Sequence, residues 1–113
     1  MSLSSLKCVA CRGDEPRLKR EEINKYLKEI HEDWKLENHP AVGQDKITRE
    51  FDFKNFLEAI SFVNKVSKIA EEERHHPNIY LHDYKKVKLE LYTHKIGGLH
   101  KNDFILASKI DNL

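Results

Sequence analysis

Three histidines carry the clearest chemical signal in this chain. His75 and His76 are adjacent and directly precede Pro77, and His94 comes later, just before Ile96-Gly97-Gly98. Imidazole titrates at about pH 6.5 when unperturbed, so it can give and take protons near neutrality. Groups of this kind around a cleft can protonate a leaving hydroxyl and accept a proton elsewhere on the same molecule. Each contributes roughly 10²- to 10⁴-fold when it acts as a general acid or base. Glu71 stands four residues before His75, a spacing that puts both on one helical face and lets the carboxylate orient the ring. Other readings of the same residues stay open. Two histidines at a helix C-terminus also interact favourably with the helix dipole when protonated. A metal site is the weaker alternative, because neighbours on a helix point about 100° apart and no H-x-x-x-H or H-E-x-x-H pair occurs. His31, His39, His82 and His100 lack comparable spacing and read as surface or capping residues.

The elements that must position these groups follow from periodicity. Leu18 to His31 carries Leu18, Ile23, Leu27 and Ile30 at amphipathic-helix spacing. Asp33–Leu36 and Ile47–Phe53 alternate apolar with polar residues and suit half-buried strands, with turn chemistry at Asn38-His39-Pro40-Ala41-Val42-Gly43 between them. Lys54 to Glu73 predicts a long helix whose stripe is Phe56, Ile60, Val63, Val66 and Ala70 with Leu57 beside it, and Pro77 is expected to end it. Ile79 to Thr93 alternates again around a turn at Asp83–Lys86. Val87, Leu89 and Leu91 face one way, while Lys86, Lys88, Glu90, Tyr92 and His94 face the other. Lys101 to Leu113 returns to helical spacing. The order α-β-β-α-β-β-α implies an α+β domain: a four-stranded antiparallel sheet with three helices packed on one face. Residues 1–16 read as a flexible leader with a C-x-x-C pair, and residues 17–113 as a single domain.

Composition excludes several function classes. The 113 residues include 20 Lys+Arg against 19 Asp+Glu, too balanced for a protein that grips nucleic acid directly through a positive field. Hydrophobic residues make up 39%, which excludes a disordered chain, and no apolar run approaches the roughly 20 residues of a membrane span. Cys8 and Cys11 are the only cysteines, too few for a secreted disulfide framework, and no signal peptide precedes them, so a cytoplasmic protein is expected. The pair itself can be a bland tail motif, half of a zinc site or a redox couple. The loop-like Arg12-Gly13-Asp14-Glu15-Pro16 after it does not suit the redox reading, and no second C-x-x-C completes a zinc site.

The run Glu71-Glu72-Glu73-Arg74-His75-His76-Pro77, followed by Tyr84, His94 and Asp103, resembles the signature of the pterin-4a-carbinolamine dehydratases. The likeness extends upstream through Trp34, Leu36, Ile47, Arg49, Phe51, Phe53, Phe56, Phe62-Val63 and Ala70, and downstream through Gly98-Leu99, Phe104 and Leu106-Ala107 to Ile110-Asp111, covering residues 18–113. The resemblance implies a hydro-lyase that dehydrates 4a-hydroxytetrahydropterin to quinonoid dihydropterin in tetrahydrobiopterin recycling, with no metal and no bound cofactor. It implies that His75 and His94 act as general acid and base and that His76 holds or polarises the pterin. Glu71, Pro77 and Thr93 would line the pocket, and Asp103 would orient a histidine. It also implies a homodimer or homotetramer, and a fold like the one reached from periodicity. A dehydratase-like scaffold that acts mainly as a protein-binding module or transcriptional dimerisation cofactor is the alternative. Two positions depart from the family pattern. His100 stands where many members place a capping Ser or Thr, and Asn102 stands where many carry a basic residue.

Overall fold

The computed structural model describes residues 2–10, 13–39 and 44–113, the side chain of His39 excepted. Cys11 and most of the Asn38–Gly43 turn lie outside these residues. The helices are α1 (Arg20–Leu27), α2 (Phe56–Glu73) and α3 (Lys101–Asp111), and the strands are β1 (Lys35–His39), β2 (Gln44–Asp52), β3 (Asn78–His82) and β4 (Lys86–Leu91). The strands form one antiparallel sheet, as expected, and their order in it is β1-β2-β4-β3. The turn between β3 and β4 places Asp83 and Tyr84 at φ 48° and 53°, the left-handed pair that closes a tight hairpin in step with strand twist.

The core forms where the helices meet one face of the sheet. Ile47, Val87, Leu89 and Leu91 are buried against Ile23, Trp34, Val66, Leu99, Phe104, Leu106 and Ile110. Eight residues of α3 are buried, Asn102, Asp103 and Ser108 among them, so this helix is the centre of the layer rather than its cover. Asp111 at its end accepts from the Trp34 indole at 2.8 Å and pairs with Arg49 at 2.7 Å, tying α3 to β2 and to the approach to β1.

Two expectations shift. In α2 the buried row runs through Ala59, Val66, Ala70 and Glu73, leaving Phe56 49% and Leu57 78% exposed. The apolar stripe is wider than the contact it makes, and periodicity does not say which edge faces inward. The end of α2 falls at Glu73, where the periodicity places it, but Pro77 is not what stops it. The helix stops there because Arg74 adopts the left-handed conformation (φ 54°, ψ 38°), its N–H donating to the carbonyls of Ala70 and Glu71.

Candidate functional site

The left-handed turn at Arg74 decides where the two adjacent histidines go. Once the chain leaves helical geometry, the four-residue spacing of Glu71 and His75 no longer stacks them. Glu71 instead accepts from His76 Nε2–H at 2.7 Å, a solvent-exposed pair, and does not orient His75 as the spacing suggested. His75 turns inward, 13% exposed, and its Nε2–H donates to Asp103 Oδ1 at 2.5 Å. A carboxylate only accepts, so this bond fixes the tautomer and leaves Nδ1 as the ring nitrogen for a ligand.

Asp103 is 0% exposed and fully engaged. Its Oδ2 accepts from Thr93 Oγ1–H at 2.9 Å and from the backbone N–H of His100 at 2.9 Å. The second bond is half of a capping box: His100 Nδ1 accepts from the Asn102 N–H at 3.0 Å, replacing the hydroxyl cap that this position lacks. With Nδ1 accepting, His100 Nε2–H is the donor, and it reaches Glu15 at 2.8 Å. Of the two roles the sequence leaves open for His100, surface or capping, the structure shows the cap.

His94 arrives from the other side. Strand β4 ends at Leu91, and Thr93 and Gly98 then bridge through two backbone bonds, closing a short 3₁₀ turn over His94–Ile96. Gly97 takes φ 64° to complete that turn. His94 is therefore not on the open sheet face with Lys86, Lys88 and Glu90. It is exposed, with its ring 5.9 Å from that of Tyr92.

These residues line one cleft of about 720 Å³. His75, His76, Thr93 and His94 form part of its wall, together with Glu72, Glu73, Arg74, Tyr92, Lys95 and Asn102. Glu71 and Pro77 are not among the lining residues, and Asp103 sits behind it. The remaining lining comes from Lys7, Cys8, Val9 and Ala10, part of the stretch read from the sequence as a flexible leader. Glu73 and Asn102 were also missed. Glu73 left a trace, because it continues the row of Ala59, Val66 and Ala70 as a carboxylate on a buried face. Burial opposes ionisation of Glu73, but the Cys8 N–H and the Lys109 ammonium, 3.0 Å away, outweigh it and hold the carboxyl below its ordinary range. The Cys8 thiol is pushed up to about 12, by burial first and by the Glu73 charge second.

Among the described residues no group of His, Cys, Asp and Glu is arranged to hold a metal ion, and no helix is long and apolar enough to cross a membrane. The residues around the cleft are of a kind that can exchange protons. The cleft offers imidazoles from two different elements, one of them fixed by a buried carboxylate, around a volume that accommodates a bicyclic ring.

Comparison with known proteins places the chain in context. The family model described as pterin 4 alpha carbinolamine dehydratase matches residues 16–113. A protein of Alkaliphilus metalliredigens, assigned provisionally by its name as a pterin-4-alpha-carbinolamine dehydratase, is 43% identical over 97% of this chain and 94% of its own length. One from Saccharophagus degradans with the same provisional name is 45% identical over 94% of this chain and 90% of its own. Among solved structures, a transcriptional coactivator/pterin dehydratase from Brucella melitensis superposes with a TM-score of 0.74 at 31% identity, covering 85% of this chain and 96% of that one. A pterin dehydratase-like RuBisCO assembly factor of the alpha-carboxysome shares the fold alone, with a TM-score of 0.57 at 19% identity over 74% of this chain and 93% of its own.

Proposed function

The chain belongs to the pterin-4a-carbinolamine dehydratase family, and we propose that it performs the dehydration itself, on 4a-hydroxytetrahydropterin in the histidine-lined cleft. The observation that carries this reading is the buried Asp103–His75 pair. His75 lines the cleft with one ring nitrogen committed to an acceptor-only carboxylate, which leaves the other nitrogen for a substrate.

The reaction is redox-neutral. The C4a–O bond breaks as the hydroxyl takes a proton and leaves as water. The proton on the adjacent ring nitrogen departs, and its bonding pair forms the C=N bond of quinonoid dihydropterin. One imidazole gives the first proton and the other accepts the second, with His75 and His94 in these roles. Both steps are proton transfers, so neither a metal nor a redox cofactor is required. His76, steered outward by Glu71, helps hold the pterin, and Thr93 borders the ring while supporting Asp103. Such an enzyme serves pterin cofactor recycling in the cytoplasm and works as a homo-oligomer, for which the exposed Phe56 and Leu57 of α2 offer an apolar surface.

The test is direct. Purified protein added to freshly generated 4a-hydroxytetrahydropterin should accelerate the loss of its ultraviolet signal in proportion to protein concentration. An uncatalysed rate at all concentrations, with the protein folded, would refute the enzymatic reading. Reproducible capture of one protein partner by that inactive protein would favour the binding-module alternative.

A further inference from the structure

Asn102 and Asp103 are neighbours in the first turn of α3, yet their side chains serve different parts of the cleft. Asp103 reaches His75 and Thr93. Asn102, 2% exposed, turns its carboxamide to residue 9. The Val9 N–H donates to Asn102 Oδ1 at 3.0 Å, and Asn102 Nδ2–H donates to the Val9 carbonyl at 2.7 Å. One side chain thereby satisfies both backbone groups of Val9, as a neighbouring strand would. The adjacent Cys8 N–H donates to Glu73 Oε1 at 2.8 Å, and the Cys8 thiol donates to the Asn102 carbonyl at 3.5 Å. Glu73 is itself held from α3 by Lys109. Further out, Leu3 is buried in the core and anchors the start of the segment.

We infer that Asn102 is a positioning residue that clamps Lys7–Ala10 as a wall of the pterin cleft, and that this wall sets substrate affinity rather than turnover. The inference rests on the dehydratase reading of the cleft. Val9 and Ala10 present apolar surface and carry no proton to exchange. Val9 is 61% exposed beside the cleft, surface that a flat heterocycle could cover. The Cys8 thiol keeps its proton at neutral pH. Contact with apolar surface is felt equally by substrate and transition state, so losing it raises KM and leaves kcat in place.

The experiment compares wild type with two full-length variants. Asn102→Leu keeps the branched shape and deletes both bonds, whereas Val9→Pro deletes the residue 9 donor, exchanges one apolar side chain for another and leaves α3 untouched. Both should raise KM for 4a-hydroxytetrahydropterin about tenfold with kcat within about twofold, and should weaken the Kd of 7,8-dihydrobiopterin, measured by calorimetry, by a similar factor. Unchanged KM and Kd in both variants would overturn the inference while leaving the dehydratase reading intact. A fall in kcat in Asn102→Leu without a rise in KM would trace its effect to Asp103 next door and would also overturn it. A wild type that binds the dihydropterin but does not turn over would refute the dehydratase reading, and weaker Kd values in the variants would still uphold the wall.

Discussion

Asp103 and His75, 28 residues apart in the chain, meet at 2.5 Å beneath the cleft, and the same carboxylate caps α3 and holds Thr93. One buried group therefore sets the start of the central helix, the exit of the last strand and the tautomer of a proposed catalytic ring. On the proposed mechanism folding and chemistry share these atoms, so perturbing one should register in the other.

Asp103→Asn tests that sharing. An amide can accept through only one end, so either His75 or the Thr93–His100 pair loses its acceptor. Activity should fall on the order of 10²- to 10⁴-fold, and stability by about 1–3 kcal/mol. Steady-state kinetics and denaturant melts on the same preparation measure both. A variant that loses activity without losing stability would mean the capping role is dispensable.

Arg74 adopts a left-handed conformation that a side chain disfavours, immediately before His75. Arg74→Gly removes that steric cost and should stabilise the protein by about 0.5–1 kcal/mol, read from the shift in urea midpoint. Lower stability would show that Arg74 makes contacts worth more than its strain.

Glu73 gives an acid dependence with a definite sign. Its carboxyl lies below the ordinary 4.5 when folded, because the Cys8 N–H and Lys109 outweigh the burial that opposes ionisation. The unfolded chain therefore binds a proton first as the pH drops. The stabilisation is complete above pH 4.5 and is lost as pH falls through the lower folded value. Melting temperature should decline below pH 4.5, and Glu73→Gln should flatten part of that decline. A parallel decline in the variant would assign the acid sensitivity to other carboxylates, Glu90 first among them, since its carboxyl is also held low despite burial, by Lys46, Asn78 and Tyr80.

Cys8 should be slow to react. Alkylation requires the thiolate, and a thiol pushed from 9.0 up to about 12 by burial and by Glu73 has little of it at about pH 8. Iodoacetamide labelling, followed by peptide mass mapping, should be on the order of 10²- to 10³-fold slower at Cys8 in native protein than in urea. Because the folded value is the higher one, this group's stabilisation is full below pH 9.0 and is lost as pH rises through about 12. Equal labelling rates in the two states would contradict the buried, Glu73-facing thiol.

Much of this architecture is legible in the sequence, because amphipathic spacing reports which face of an element is buried. Ile47, Val87, Leu89 and Leu91 all lie where alternation puts them. His75, His76 and His94 do line one cleft, and Asp103 does orient a histidine. What escapes is pairing across distance. Helical spacing favoured Glu71 as the partner of His75, but a single left-handed residue redirected both histidines. The bonds from Cys8 to Glu73 and from Val9 to Asn102 span 65 and 93 residues, and no local pattern encodes contacts of that kind. Asn102 showed itself only as a departure from the family pattern. Its buried carboxamide, turned toward Val9, supplies the physical reason.

The central claim is that His75 and His94 move the two protons, and the most direct measurement is the dehydration rate of the double variant His75→Ala/His94→Ala. Rate constants for loss of 4a-hydroxytetrahydropterin should fall to the uncatalysed value, while far-ultraviolet circular dichroism and melting show a folded chain. Each single variant should lose roughly 10²- to 10⁴-fold. A folded double variant that retains the wild-type rate would contradict the assignment outright.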